Sequence, residues 1–241
     1  MCDQHHSTEQ HLPRRNFLQL AAAAAVGSLL PGNLFAAPAA DGKPTPTVMP
    51  AQALEKLRAG NRRFVTGRGR DYDFIPERES LVASQHPFAS ILACADSRVA
   101  PEIVFDQDLG ELFVCRVAGN FADPGSIASF EYGAAVLGAP LILVLGHSGC
   151  GAIKATIDSV KKDTRFTGHI PYIIRSLRPA VEDVLETPGD IEANAVRQNV
   201  ILTVAALRKV GPTLSSKVKD GSIQIVGGVY DLASGKVDFL V

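Results

Sequence analysis

Along the 241-residue chain the spacing of apolar residues changes character several times. Between Ala51 and Thr66, Leu54, Leu57, Phe64 and Val65 recur near helical spacing with charges between them, which predicts an amphipathic helix with one apolar stripe. Gly67 and Gly69 end it, and a second short helix is predicted around Glu77–Gln85. The middle of the chain reads differently. Phe88–Ala93, Glu111–Val117 and Leu141–Leu145 are short apolar runs with little polar interruption, as in strands buried on both faces. Ser126–Leu137 has a helical pattern opened by Asp123-Pro124-Gly125, and another helix is predicted from about Cys150 to Lys161. Pro171–Glu186 and Ile191–Val210 follow as helices, the second stopped by Gly211-Pro212. Ile223–Tyr230 and Lys236–Leu240 close the chain as strands joined by a turn near Ser234-Gly235. Strands alternating with helices require crossover connections, so the fold class is α/β with a mainly parallel sheet and helices on both faces.

The first forty residues stand apart from this pattern. Arg14 and Arg15 precede a bland apolar run through Ala21–Ala25 to Leu30, and small residues follow at Ala36, Ala37, Ala39 and Ala40. That is the layout of an export signal, with cleavage expected between Ala36 and Ala40. The run is about 14 residues, short of the roughly 20 that span a bilayer, so no stable membrane anchor is expected. Pro13-Arg14-Arg15-Asn16-Phe17-Leu18-Gln19 resembles a twin-arginine signal, read by export machinery that carries folded proteins. Residues 1–40 are therefore taken as a cleaved signal, 41–50, with Pro44, Pro46 and Pro50, as a tether, and 51–241 as the domain. The expected location is outside the cytoplasm, in the periplasm.

Composition narrows the function classes. The chain is 46% hydrophobic with 24 Lys+Arg against 25 Asp+Glu, a net charge of −1. Removing residues 1–40 takes away Arg14, Arg15, Asp3 and Glu9 and leaves that balance unchanged. Such a surface does not suit a duplex nucleic-acid binder, and the apolar fraction excludes a disordered chain. The cysteines left after cleavage are Cys94, Cys115 and Cys150, an odd and small number that suits no disulfide framework.

Two clusters carry chemistry, each just after a predicted strand: Cys94-Ala95-Asp96-Ser97-Arg98 and His147-Ser148-Gly149-Cys150-Gly151. Ligands of open α/β sheets bind outside the carboxyl ends of the strands, so the two clusters can converge. Cys94, His147 and Cys150 make a Cys2His donor set suited to zinc, and three protein ligands leave a fourth position open. Cys150 is placed at a helix N-terminus, which favours a thiolate, and Gly149 and Gly151 allow a tight turn. Asp96 and Arg98 alternate with Cys94 along an extended segment, so Arg98 can hold Asp96 ionised and oriented. Asp96 then accepts a hydrogen bond from zinc-bound hydroxide, or swings onto zinc as a fourth ligand and blocks the site. Cys115 reads as an ordinary core residue, and His86 and His169 as surface or loop residues.

Cys-x-Asp-x-Arg followed about fifty residues later by His-x-x-Cys resembles the β-class carbonic anhydrases. The likeness extends to Phe113-Val114-Cys115-Arg116-Val117-Ala118-Gly119-Asn120, to Glu131-Tyr132 and to Gly146–Gly151. It implies four parallel strands extended by an antiparallel fifth, N-terminal helices that clasp a partner subunit, and a homodimer or larger homo-oligomer. It also implies one Zn2+ per subunit on Cys94, His147 and Cys150, with Asp96 a fourth ligand in a closed form. Plant-type members line the carbon dioxide pocket with residues matching Gln85, Phe113 and Tyr132, all present here, and the chain has no Trp of the kind a bicarbonate-gated branch uses. The implied reaction is reversible hydration of carbon dioxide to bicarbonate and a proton through zinc-bound hydroxide. Hydrolysis of carbonyl sulfide or carbon disulfide on the same fold, and a zinc-binding protein without activity, are the alternatives. A thiol-redox role is disfavoured because Cys94 and Cys150 are not a Cys-x-x-Cys pair.

Overall fold

The structure, a computed structural model, describes residues 48–240. The twin-arginine segment, its cleavage zone and residues 41–47 of the tether lie outside the described residues. Helix α1 (Pro50–Val65) starts with Pro50 in the first turn, where its missing N–H costs nothing, and Gln52 Oε1 accepts from the Met49 N–H at 2.9 Å. Ala53 and Leu57 on its apolar stripe are fully buried in the protomer's own core. Gly60 sits so close to the Phe105 carbonyl that a Cβ would lie 1.6 Å from its oxygen. Of the predicted stripe, Leu57 is fully buried while Leu54, Phe64 and Val65 are half-buried, and the face with Glu55 and Arg62 is exposed.

The short helix predicted over Glu77–Gln85 forms earlier, as α2 (Phe74–Ser80). Asp73 caps it by accepting from the Ile75 N–H at 3.3 Å, and Pro76 falls in the first turn, where it is tolerated. Strand β1 (Ala89–Ala93), helix α3 (Pro101–Val104), strand β2 (Leu112–Arg116), helix α4 (Pro124–Ala135) and strand β3 (Leu141–His147) follow. Asp123 and Ser126 cap α4 reciprocally, each side chain accepting from the other's backbone N–H at 2.7 and 2.9 Å. Helices α5 (Gly151–Lys162), α6 (Ile170–Glu182), α7 (Ile191–Lys209) and α8 (Thr213–Lys219) then lead to strands β4 (Gln224–Tyr230) and β5 (Val237–Leu240). The helices α3 and α8 are too short to show a period in the sequence.

Among the described residues the strands form one sheet in the order β2-β1-β3-β4-β5. The first four are parallel and β5 runs antiparallel to β4. Side chains alternate across it. Leu141, Leu143 and Leu145 face the layer holding α1 and α3, while Ile142 and Val144 face α4, α7 and α8. All residues of β1 and β3 are buried, which is why both read as unbroken apolar runs. From β1 the chain crosses to β2 on one side, then to β3 on the other, so the strand order reverses between β1 and β3. That crevice, at the carboxyl ends of β1 and β3, is where an open α/β sheet offers a site.

Candidate metal centre

Cys94 directly follows β1, His147 ends β3, and Cys150 is the residue before α5, so the reversal of strand order brings all three together. Their ligand atoms lie within 4.8 Å of one another and all three residues are buried. Gly149, at a φ of +67°, supplies the left-handed turn that folds Cys150 back beside His147. Gly151 meets no protein atom within 4 Å of where a Cβ would stand.

The donor set fits a zinc ion. His147 Nδ1 is paired with the Ser148 carbonyl at 2.9 Å, which leaves Nε2 facing the two sulfurs, buried and without a hydrogen-bond partner. A buried ring nitrogen in that state is what a metal satisfies. Ligands around one tetrahedral zinc stand roughly 3.5–4 Å apart, which is compatible with the 4.8 Å within which all three donor atoms lie. The thiols agree. The hydrogen bond shared with Cys150 holds the Cys94 thiol down at about 4, and the negative Cys94 sulfur drives Cys150 up. N–H groups of the first α5 turn nevertheless pull Cys150 downward, as expected at a helix N-terminus. Such a pair keeps one proton until a cation replaces it. Burial lowers the His147 imidazole, but the neighbouring Cys94 sulfur outweighs it and the net shift is upward.

Asp96 stands at the rim. Arg98 grips it with a fork, Nε to Oδ1 at 2.9 Å and Nη2 to Oδ2 at 2.7 Å, and the Arg98 backbone N–H adds a third bond at 3.0 Å. Those bonds hold the Asp96 carboxyl far below the usual carboxylate range. Its Oδ2 is 3.9 Å from His147 Nε2. In this conformation Asp96 is therefore outside the three-ligand cluster, committed to Arg98 rather than to the position of a fourth ligand. Arg98 also donates to the Gly149 carbonyl at 3.2 Å, tying the two strand mouths together.

Residue types did not announce the rest of the support. Arg116, at the end of β2, donates to the Cys94 carbonyl at 3.1 Å and the Asp96 carbonyl at 2.6 Å. The Gly119 N–H donates to Cys94 Sγ at 3.2 Å, and Asn199 of α7 donates to the Gly119 carbonyl at 2.8 Å. The sequence signal for the first two was their place in the Phe113–Asn120 segment; for Asn199 it was a polar residue on the buried face of a helix.

The three pocket residues lie elsewhere in the protomer. Phe113 pairs in register with Ser90, four residues before Cys94, a separation of roughly 13 Å along the strand. Tyr132 of α4 packs on Phe113 with ring centroids 6.3 Å apart and is half exposed. Gln85 is exposed in the loop before β1, at the strand end opposite Cys94. Phe113 and Tyr132 are brought together, but none of the three reaches the metal cluster of its own chain.

Comparison with known proteins agrees with this geometry. The family model described as carbonic anhydrase matches residues 89–237. The chain is 38% identical over 196 residues to carbonic anhydrase 2 of Mycobacterium tuberculosis, covering 79% of this chain and 93% of that one. It is 39% identical over 172 residues to a carbonic anhydrase of Pseudomonas aeruginosa, covering 67% and 77%. The solved β-carbonic anhydrase CcaA superposes with a TM-score of 0.60 at 27% identity, over 79% of this chain and 89% of that one. With the parallel sheet, the Cys94–His147–Cys150 cluster at its switch point and relatives of this similarity, the chain belongs to the β-class carbonic anhydrases.

Proposed function

We propose that this protein catalyses the reversible hydration of carbon dioxide to bicarbonate and a proton, using one zinc ion per subunit held by Cys94, His147 and Cys150. The observation that carries the reading is the Asp96–Arg98 pair beside the cluster, since a purely structural zinc site has no use for an oriented carboxylate at its open side. Zinc, when bound, lowers the pKa of water toward about 7 and so supplies a nucleophile at neutral pH. The chain's own groups do the orienting. Asp96 is ionised and can only accept a hydrogen bond, so it fixes where a proton of the attacking water points and leaves a lone pair facing carbon. Arg98 prevents Asp96 from turning, and Arg116 fixes the Cys94–Asp96 backbone beneath it.

A homodimer belongs to the same proposal. On the outer side of β2 no strand pairs among the described residues, and Leu112–Cys115 are only half buried. An edge of this kind accepts a second copy. Docking there would supply Phe113, Tyr132 and Gln85 to a metal centre that their own chain keeps them from. Zinc-loaded protein in which a monomeric fraction hydrates carbon dioxide as fast as the dimer would contradict that arrangement. We further propose export by the twin-arginine route, supported by Pro13–Gln19 and the small residues at 36–40. Changing Arg14 and Arg15 together to Lys should leave unprocessed precursor in the cytoplasm; normal export of that variant would refute the route.

The substrate assignment is tested by giving the zinc-loaded protein carbon dioxide, carbonyl sulfide and carbon disulfide in parallel. The reading expects carbon dioxide to be turned over by far the fastest. Rapid sulfide release with slow hydration would replace it with the sulfur substrates.

A further inference from the structure

We infer that Asn199 is a positioning residue of the metal centre, acting on the Cys94 thiolate through the Gly119 backbone; the inference rests on the zinc reading of the Cys94–His147–Cys150 cluster. The Gly119 N–H points at Cys94 Sγ from 3.2 Å. Such a bond fixes where the sulfur stands and favours its ionised form over the thiol, which is the form a metal needs. Gly119 has no side chain to fix its direction, and none is allowed. Its φ is +86° and a Cβ would lie 2.6 Å from Leu177 Cδ1. The handle that remains is its carbonyl, and Asn199 Nδ2 donates to it at 2.8 Å from a residue 80 positions away.

The placement of Asn199 is itself held closely. It is buried at 3% exposure on the core side of α7, one helical turn from the buried Val196 and Thr203. The neighbouring Val200 fits its methyl groups where Gly146 and Gly227 lack a Cβ, which would stand 2.7 and 2.5 Å away. Gly146 immediately precedes His147. The same close approach of α7 therefore sets both the strand that carries His147 and the amide that holds Gly119. An amide in such a core costs free energy unless bonded, and its bond goes to the loop that serves the metal sulfur.

The test compares zinc-loaded wild type with Asn199→Leu, which keeps the volume and removes the donor, and with Val204→Ala, which removes apolar packing beyond Asn199 and leaves the closer Val200 contacts with Gly146 and Gly227 in place. Zinc affinity is measured by chelator competition and the thiolate charge-transfer band after cobalt(II) replacement, with folding followed by circular dichroism. Positioning predicts about 10–100-fold weaker zinc and a displaced cobalt band for Asn199→Leu. Val204→Ala should melt at lower temperature with zinc affinity and band unchanged. Wild-type affinity and band in folded Asn199→Leu, or equal losses in Val204→Ala, would overturn the inference. A second readout needs no variant, should Asn199→Leu not fold. The side-chain amide resonance of Asn199 in the wild-type holoprotein should shift when cadmium replaces zinc, and an unmoved resonance also overturns it. A wild type that binds no zinc would remove the metal reading first, an outcome seen before any variant is made.

Discussion

Asp96 and Arg98 show how single side chains decide what the site can do. Both carboxylate oxygens of Asp96 carry an arginine N–H, so the group is aimed and its ionisation is held far below the usual carboxylate range. Replacing Arg98 with Gln should leave zinc content intact and lower carbon dioxide hydration about 10–100-fold, the range for loss of an outer orienting partner. Stopped-flow rates with metal analysis on the same samples would show this, and an Arg98→Gln variant as fast as the parent would refute the orienting role. These residues were legible in the sequence because Cys, His, Asp and Arg carry chemistry in their side chains and stood just after apolar strands. Gly119 was not legible as a donor, because a backbone N–H has no residue type. Asn199 was hidden for another reason: its partner lies on a loop far away in sequence, and its helical pattern shows only that a polar residue faces the core.

Elements position those side chains, and two contacts between them make measurable predictions. Helix α7 lies against β3 and β4 at the close approach of Val200 to Gly146 and Gly227. Gly227→Ala would place a methyl 2.5 Å from Val200 Cγ1 and should destabilise the fold by about 1–3 kcal/mol, read by urea unfolding. Unchanged stability would mean that α7 can retreat, which also weakens the argument for Asn199. The second contact joins the end of α1 to the turn after α3. Asp106, buried and at a φ of +47°, accepts from Arg63 Nε, from the Arg70 N–H at 3.1 and 3.2 Å, and from the Tyr72 hydroxyl at 3.2 Å. Tyr72, pushed up to about 12 chiefly by burial, keeps the proton it donates. Burial alone would raise Asp106, but Arg63 and the Arg70 N–H outweigh it and the carboxyl is held below its ordinary value. A lowered carboxylate stabilises the fold above its unfolded pKa of about 3.9, and that stabilisation is lost as pH falls through the folded value. Asp106→Asn should therefore cost about 1–3 kcal/mol at pH 7, with the gap to the parent closing on acidification below about pH 4. A gap that stays constant with pH would assign the loss to geometry rather than charge. The long elements were legible because burial on both faces, or an apolar stripe, leaves a period. The misplaced start of α2 was set by a cap at Asp73, and a cap has no period.

On the scale of the whole molecule, the order of strands matters more than any one of them. Two clusters 53 positions apart, at Cys94 and His147, meet because the chain turns to opposite sides after β1 and after β2. That convergence was inferable, since parallel strands place their carboxyl ends on one edge of the sheet. The location of Phe113, and of Tyr132 packed on it, was not, because position along a strand relative to a ligand on another strand depends on register, and register is a property of the folded sheet. One protomer thus brings together the metal donors and the orienting carboxylate while Gln85, Phe113 and Tyr132 lie away from them, which is the reason for proposing that two copies share the site. The account as a whole rests on a metal centre left open by Asp96. Stopped-flow hydration of carbon dioxide by the zinc-loaded protein, with zinc quantified in each sample, tests this across about pH 6.5 to 9, bracketing the expected pKa of zinc-bound water. The account predicts turnover that scales with zinc content and persists at the acid end of that range. Full zinc occupancy without hydration at any pH would contradict the enzyme, and hydration confined to the alkaline end would contradict the open site.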